Sequence, residues 1–313
     1  MPHVSRGADP DIDGVLVLAK PAGPTSHDIV DLVRRLSGVR RVGHGGTLDP
    51  FAAGVLPVFV GRATRIVEYH NADGKAYRAV VAFGASSATD DLEGELTPGA
   101  GPAPTRDAVE AALDSFRGTI EQVPPDYSAV RVAGRRAYEL ARHGKKPELR
   151  PRTVTIHELS LTTWDGADPE RPTATLEVRC SAGTYIRALA RDLGDRLGCG
   201  AYLVALTRTA SGPFRIDGAH SLDELRDASN GARLRDLLLP TDTGLEAIPK
   251  VQLDTDELGA IARGQVVKPR RAMADGVTEG LLRIVDGSGR LAAMARLEDG
   301  RLHPEKVFIG PAA

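Results

Sequence analysis

The chain has 313 residues, with 40 Lys and Arg against 42 Asp and Glu and a formal net charge of −2. That length suits one large domain with a small companion, and the near-neutral charge excludes a surface that is basic throughout. No apolar run reaches the ~20 residues of a membrane span, MPHVSRGADPDID lacks a signal-peptide core, and Cys180 and Cys199 have no metal-type spacing; a cytoplasmic protein with buried thiols, no membrane and no metal is expected.

Residues 1–10 are expected to form a disordered tail. GVLVLAKP reads as a strand ending at Lys20-Pro21, and Thr25 or Ser26 caps a helix with Ile29, Val30, Val33 and Leu36 on its apolar side. In GHGGTLDPFAAGVLP, residues 43–57, Gly43, Gly45 and Gly46 permit positive φ and close backbone approach. Pro50 presses Asp49 toward an extended conformation. The loop has no Gly-Lys-Ser/Thr ending and no Gly-x-Gly-x-x-Gly, so it is not a phosphate cradle. AYRAVVAFG alternates, with Tyr77, Ala79, Val81 and Phe83 on one face. TRDAVEAALDSF is an amphipathic helix capped by Thr105.

VTIHELSLTTW and TATLEVRCS read as consecutive strands, the second placing Ala174, Leu176, Val178 and Cys180 toward the core. GTYIRALARDLGDRLG follows as a helix, with Ile186, Leu189, Ala190, Leu193 and Leu197 at helical spacing. The Pro pair, glycines and charges of residues 124–152 mark a surface insertion. After Pro249 a short helix capped by Asp254 precedes GLLRIVD, RLAAMARLED and KVFI, with DGSG and EDG as turns. The expectation is an α+β protein: a mixed, mainly antiparallel sheet with helices over 11–248, and a small β-rich domain over 249–313.

Charge is clustered. Arg131, Arg135, Arg136, Arg142, Lys145, Lys146, Arg150 and Arg152 face only Glu139 and Glu148 within the insertion, and Arg34, Arg35, Arg40 and Arg41 precede the glycine-rich loop. Most charge runs are solvated faces; two basic patches on a slightly acidic protein also suit a local phosphate footprint. Taken singly, Asp49 before Pro50 reads as a turn residue, Tyr77 as core packing, Arg187 as a surface charge and His44 as structural.

The ordered segments GHGGTLDPFAAGVLP, KAYRAVV, VPPDYSAVRVAGRRAYELAR, CSAGTYIRALARDLG and LTRTASGPF resemble the TruB family, bacterial synthases that make pseudouridine 55 in the T loop of tRNA. The resemblance covers roughly residues 10–245, and the tail resembles a PUA-type RNA-binding module. It implies a pseudouridine-synthase fold with an RNA-clamping insertion. It also implies a nucleophilic role for Asp49, base stacking for Tyr77, and Arg187 as the partner of Asp49 with Tyr185 close by. His44 would help hold the flipped-out substrate, Leu206 would pack at the target base, and Lys20-Pro21 would lie at the sheet edge under the site. Ser87-Ala88-Thr89-Asp90-Asp91 departs from the family's Thr-x-Thr-x-Asp at Ser87, while Asp91 and Gly94 match. The implied partner is the T arm of tRNA, gripped by Arg142, Lys145 and Lys146, with no guide RNA and a monomeric enzyme.

Isomerising uridine breaks N1–C1′ and joins C5 to C1′ without electron transfer, so no cofactor is expected. Breaking a glycosidic bond develops positive charge on the sugar, and an ionised carboxylate could stabilise that charge, attack the sugar or remove a sugar proton. An apolar surround suits retention of the detached base, with water excluded. Two other readings stay open from the residues: a non-catalytic tRNA-binding or RNA-folding protein, which would not need Asp49, and an N-glycosidase that releases the base.

Overall fold

The computed structural model describes residues 12–70, 74–128, 130–132, 134–228, 232–270 and 277–310. The expected tail, residues 1–10, lies outside the described residues. The chain opens with β1 (Gly14–Lys20), α1 (Ser26–Ser37), β2 (Val42–His44) and β3 (Ala53–Val60). Thr25 is the cap of α1: its hydroxyl accepts from the Asp28 amide, and the Asp28 side chain accepts from the Thr25 amide. The helix stops at Gly38, which takes a left-handed φ of 70°. Its buried Ile29, Val30 and Val33 pack on Leu16, Leu18, Leu56 and Val58.

A 3₁₀ segment, Gly61–His70, leads to β4 (Lys75–Phe83), β5 (Ala85–Ser87) and β6 (Leu96–Pro98), then α2 (Arg106–Leu113) and β7 (Gly118–Gln122). The insertion holds a small hairpin, β8 (Arg131–Val132) and β9 (Arg135–Arg136), and α3 (Ala137–Arg142). There follow β10 (Arg152–Asp165), β11 (Thr173–Cys180), α4 (Ile186–Leu197), β12 (Ala201–Ser211), β13 (Phe214–Arg215), α5 (Leu222–Asp227), α6 (Ala232–Asp236) and β14 (Leu238–Leu239).

These strands form one sheet in the order β14-β1-β3-β12-β4-β11-β10-β7, with β2 beside β3 and β13 beside β12. Along that path every pairing is antiparallel except β3 with β12. The alternation in β4 survives folding: Tyr77, Ala79, Val81 and Phe83 are buried with Leu176 and Val178 of β11 under Val109 and Leu113 of α2 and Leu189 and Leu193 of α4. Cys180 and Cys199 are buried and free. The expected α+β architecture is the one observed.

The C-terminal part builds a second sheet, β15-β16-β17-β18, from β15 (Lys250–Gln252), β16 (Gly280–Val285), β17 (Leu291–Glu298) and β18 (Arg301–Val307), with α7 (Thr255–Ala262) capped by Asp254. The last strand differs from the KVFI expected. Asp299 and Gly300 take φ values of 49° and 67° and reverse the chain at once, so pairing starts at Glu298–Arg301 and ends at Val307. Pro304 sits within it because β18 is an edge strand, where a missing amide costs no ladder bond.

This sheet is not a loose appendage. Leu291, Met294 and Phe308 share one buried cluster with Val15, Val17, Val55, Phe59 and Ile66 of the large domain. Lys306 Nζ donates to the Arg65 carbonyl at 2.9 Å and pairs with Glu68 at 2.6 Å. Met294 is fully buried at this junction, so Met294→Ala is expected to lower stability by about 2–5 kcal/mol. Equilibrium urea unfolding checks this; an unchanged midpoint would mean that the junction contributes nothing to folding.

Candidate active site

The loop between β2 and β3 is pinned by side chains that satisfy its backbone. Ser26, at the start of α1, accepts from the Leu48 amide at 2.8 Å and donates to the Leu48 carbonyl at 3.0 Å. Lys20, at the end of β1, donates to the carbonyls of Pro21, Pro24 and Pro50 at 2.9, 2.7 and 3.3 Å. Arg208 of β12 donates to Val55 O at 2.9 Å, Gly46 O at 3.1 Å and Thr47 O at 3.4 Å. Lys20 and Arg208 are each about 1 % exposed. A buried cation is tolerated only when donors and acceptors around it replace water, and here the loop's own carbonyls do so.

Of the three loop glycines, Gly46 alone takes a left-handed φ, 109°, while Gly43 belongs to β2. The tightest fit comes just after the loop. A Cβ on Gly54 would meet the Arg208 carbonyl oxygen at 2.2 Å and its nitrogen at 2.4 Å, because β3 and β12 pair in parallel there. Gly54 therefore lets the strand behind Asp49 lie against the strand that carries Leu206 and Arg208.

Asp49 meets Arg187, the second residue of α4, at 3.0 Å between Oδ2 and Nε. Arg187 is 5 % exposed. Its Nη1 also donates to Thr89 O at 3.0 Å and faces Asp91 Oδ2 at 3.3 Å, and its Nη2 donates to Tyr127 O at 2.9 Å. One guanidinium thus ties together the loop, the 89–91 turn and the start of the insertion. Asp91 is 3 % exposed, so it supports Arg187 from inside the fold and does not face solvent.

Asp49, Tyr77, Tyr185, Arg187 and Leu206 line one cavity of about 310 Å³. Its wall also includes Arg208, Lys75, Leu48, Ile186 and the Ala182–Thr184 turn. Tyr77 is 8 % exposed and stands in register with Val178 on one side and Arg208 on the other. The backbone of Tyr185 is fixed by Gln122 of β7, which accepts from its amide at 2.8 Å and donates to its carbonyl at 3.0 Å.

Two expected substrate contacts lie elsewhere. Lys20 is enclosed beneath the loop with its ammonium spent on three carbonyls, and β1 is an inner strand between β14 and β3, so it does not line the cavity or stand at a sheet edge. His44 belongs to β2, opposite Val58, and it too is absent from the wall; its Nδ1 is buried without a protein partner. Arg142, Lys145 and Lys146 are exposed on the insertion, away from the cavity wall.

Arg208 is the residue that sequence reasoning passed over. Its signal was present: in LVALTRTAS it shares a strand face with Leu206, two residues back, so a charge occupies an apolar register.

Burial pushes the Asp49 carboxyl above the ordinary carboxylate range; Arg187 pulls it back and Asp91 adds to the rise. The net direction is upward, where the ion pair alone would have led one to expect a depressed value. Burial also lowers Lys20 to about 8, raises Tyr77 and lowers His44, so the imidazole is neutral near pH 7.

Family models match almost the whole chain: TruB family pseudouridylate synthase (N terminal domain) over residues 34–186, tRNA pseudouridylate synthase B C-terminal domain over 187–246, and Pseudouridine synthase II TruB, C-terminal, over 249–308. The protein named tRNA pseudouridine synthase B of Thermobifida fusca is 43% identical over 303 residues, 95% of this chain and 99% of that protein. That of Bradyrhizobium diazoefficiens is 42% identical over 303 residues, 95% and 86% of the two chains. The chain belongs to the TruB family. Its fold is also similar to that of a chain in the archaeal box H/ACA sRNP Nop10-Cbf5 complex, with a TM-score of 0.70 and 28% identity over 95% of this chain and 86% of that one.

The opposing influences on Asp49 give a direct test. Arg187→Met removes the one cation paired with the carboxylate, leaving burial and Asp91, both of which raise its pKa, against the weaker pull of Lys20. The Asp49 midpoint is therefore expected to move up, and the ionised fraction at neutral pH to fall. Carbon NMR titration of the Asp49 carboxyl checks this in the RNA-free protein. An unmoved or lowered midpoint would mean that Arg187 does not hold the charge.

Proposed function

We propose that this chain isomerises uridine 55 in the T loop of tRNA to pseudouridine, with Asp49 acting on the sugar of a flipped-out nucleotide. Membership of the TruB family makes it a pseudouridine synthase acting on tRNA. Position 55 rests on the resemblance of the motifs to the TruB synthases, and the role of Asp49 on the cavity. Among its described lining residues Asp49 is the one carboxylate. Glycosidases that hydrolyse by retention or inversion use a facing pair of carboxyls; a lone acid among Tyr77, Leu206, Ile186 and Leu48 suits breaking N1–C1′, keeping the uracil and rejoining it through C5.

The steps follow from the geometry. T-loop uridine is extruded at a cost of a few kcal/mol, offset by phosphate contacts and a snug pocket. The cavity, about 310 Å³, is at the small end of ligand sites, roughly 300–1,000 Å³, and fits one nucleotide. Tyr77 stacks on the base, a contact worth about 1–3 kcal/mol. Arg187 aims the Asp49 carboxylate and stabilises its charge while C1′ turns electrophilic. The Asp49 carboxylate stabilises C1′ until C5 replaces N1. Burial raises the Tyr77 hydroxyl and Arg208 opposes that rise; on this reading the hydroxyl relays the C5 proton once C5 has joined C1′.

Outside the cavity, Arg142, Lys145 and Lys146 present positive charge to the T-arm backbone, and the C-terminal sheet adds a PUA-like surface for the rest of the tRNA. On this reading the enzyme acts as a monomer in the cytoplasm, with no guide RNA and no cofactor.

Asp49→Asn keeps the shape of the loop and removes the charge. Single-turnover pseudouridine formation on T-arm RNA is expected to be lost, with RNA affinity held within about twofold, since Asp49 makes no phosphate contact. Nucleoside analysis of wild-type reactions separates the readings: pseudouridine supports the proposal, released uracil points to an N-glycosidase, and unchanged uridine to a non-catalytic binder. Neutralising Arg142, Lys145 and Lys146 together is expected to weaken binding and to reduce the slope of log K against log salt by about 0.7–0.9 per lost contact. A wild-type slope would mean that these charges are merely solvated.

A further inference from the structure

α4 carries two arginines four residues apart, so both project from one face of the helix. Arg187 bridges the 89–91 turn and Tyr127 O, and its remaining nitrogen holds Asp49. Arg191 repeats the bridge one turn on. Its Nη1 pairs with Asp90 at 3.0 Å, its Nη2 donates to Val123 O at 2.8 Å, and Asp192 accepts from its Nε and Nη2 at 3.0 and 2.8 Å. The second staple joins the same two segments as the first but does not reach Asp49.

Asp90 is also one of two described non-glycine residues with positive φ, 61°. Such a conformation persists only where the surroundings over-determine it. Here the Asp90 amide donates to Ser87 O at 3.1 Å, its carbonyl accepts from Leu203 N at 3.1 Å, and its carboxylate is held by Arg191. The turn so fixed presents Thr89 O and Asp91 to Arg187.

We propose that Arg191 is a positioning residue for the reaction: through Asp90 and Val123 it fixes the 89–91 turn and the start of the insertion in the arrangement that lets Arg187 hold Asp49. The proposal rests on the role given above to Asp49. Asp90 is faced by Arg191, Arg187, Asp192 and Asp126, and Lys146 of the insertion lines the same crevice. Burial raises the Asp90 carboxyl to about 6, against the pull of both arginines. The ion pair with Arg191 is therefore complete only above that value, and rates are best compared near pH 8.

The test compares wild type, Arg191→Met and Arg191→Lys as full-length proteins. Four quantities are measured: amide hydrogen exchange over 87–94 and 122–128 without RNA, the Asp49 carboxyl midpoint by NMR without RNA, the single-turnover rate at saturating T-arm RNA, and the Kd for that RNA. Arg191→Met is expected to speed exchange in both segments, shift the Asp49 midpoint and slow the saturated rate by about tenfold, the scale of a small misplacement of reacting groups. Kd is expected to stay within about twofold, because the Arg191 guanidinium is already engaged by Asp90, Asp192 and Val123 O. Arg191→Lys reaches Asp90 but cannot also bridge to Val123 O, so partial recovery is expected. A wild-type Asp49 midpoint with a wild-type saturated rate in Arg191→Met overturns the proposal, and so does a loss confined to Kd. If the midpoint and exchange shift while the wild-type protein forms no pseudouridine, the positioning inference stands and the functional reading falls.

Discussion

A single guanidinium, that of Arg187, organises this site. It is almost fully buried, yet it lies between two carboxylates and two carbonyls supplied by three separate stretches of chain. Its Coulomb attraction to Asp49 opposes the desolvation that raises the acid's pKa. The same contacts fix where the acid points. Truncating a buried cation of this kind would leave Asp91 enclosed and unpaired, which is why its loss is felt in the fold as well as at Asp49.

The loop that carries Asp49 obeys a related rule. A glycine-rich segment entering a buried strand has more carbonyls than neighbouring amides to satisfy them. Lys20 and Arg208 supply the missing donors from opposite sides, and Ser26 holds both polar groups of Leu48. These three side chains touch no solvent-filled part of the cavity except through Arg208, but they set the height of Asp49 above it. Rigidity at the acid is thus provided by cations that work on backbone, leaving Arg187 to work on charge.

Much of this was legible before folding was considered, and the exceptions have physical causes. Period-two alternation in β4 and β11 and helical spacing in α1, α2 and α4 gave the sheet and its helices, because each buries one face only. Motif order gave Asp49, Tyr77, Tyr185, Arg187 and Leu206, which the structure gathers in one cavity. Lys20 was placed with the substrate contacts because Lys20-Pro21 matches the family's Lys-Pro; its burial follows from the return of Pro50 above it, a tertiary fact. The rise in the Asp49 pKa was not legible for a similar reason, since the resemblance implied the Arg187 partner but not the degree of enclosure. Arg208 lay in plain register with Leu206, and only the general expectation that charged strand residues face water hid it.

The parallel contact between β3 and β12 has a consequence for how the protein comes to exist. It joins Ala53 and Gly54 to Thr207 and Arg208, so the first residues of the strand behind Asp49 stay unpaired on that side until two-thirds of the chain has been made. During synthesis the apolar run Val55–Val60 can pair at once with β1 and β2, which precede it, while Ala53 and Gly54 wait for a distant segment to leave the ribosome. Long-range parallel pairing of this kind closes slowly. Until β12 arrives, the carbonyls of Gly46, Thr47 and Val55 lack the Arg208 donors that hold them, so the loop carrying Asp49 is among the last parts of the site to be fixed.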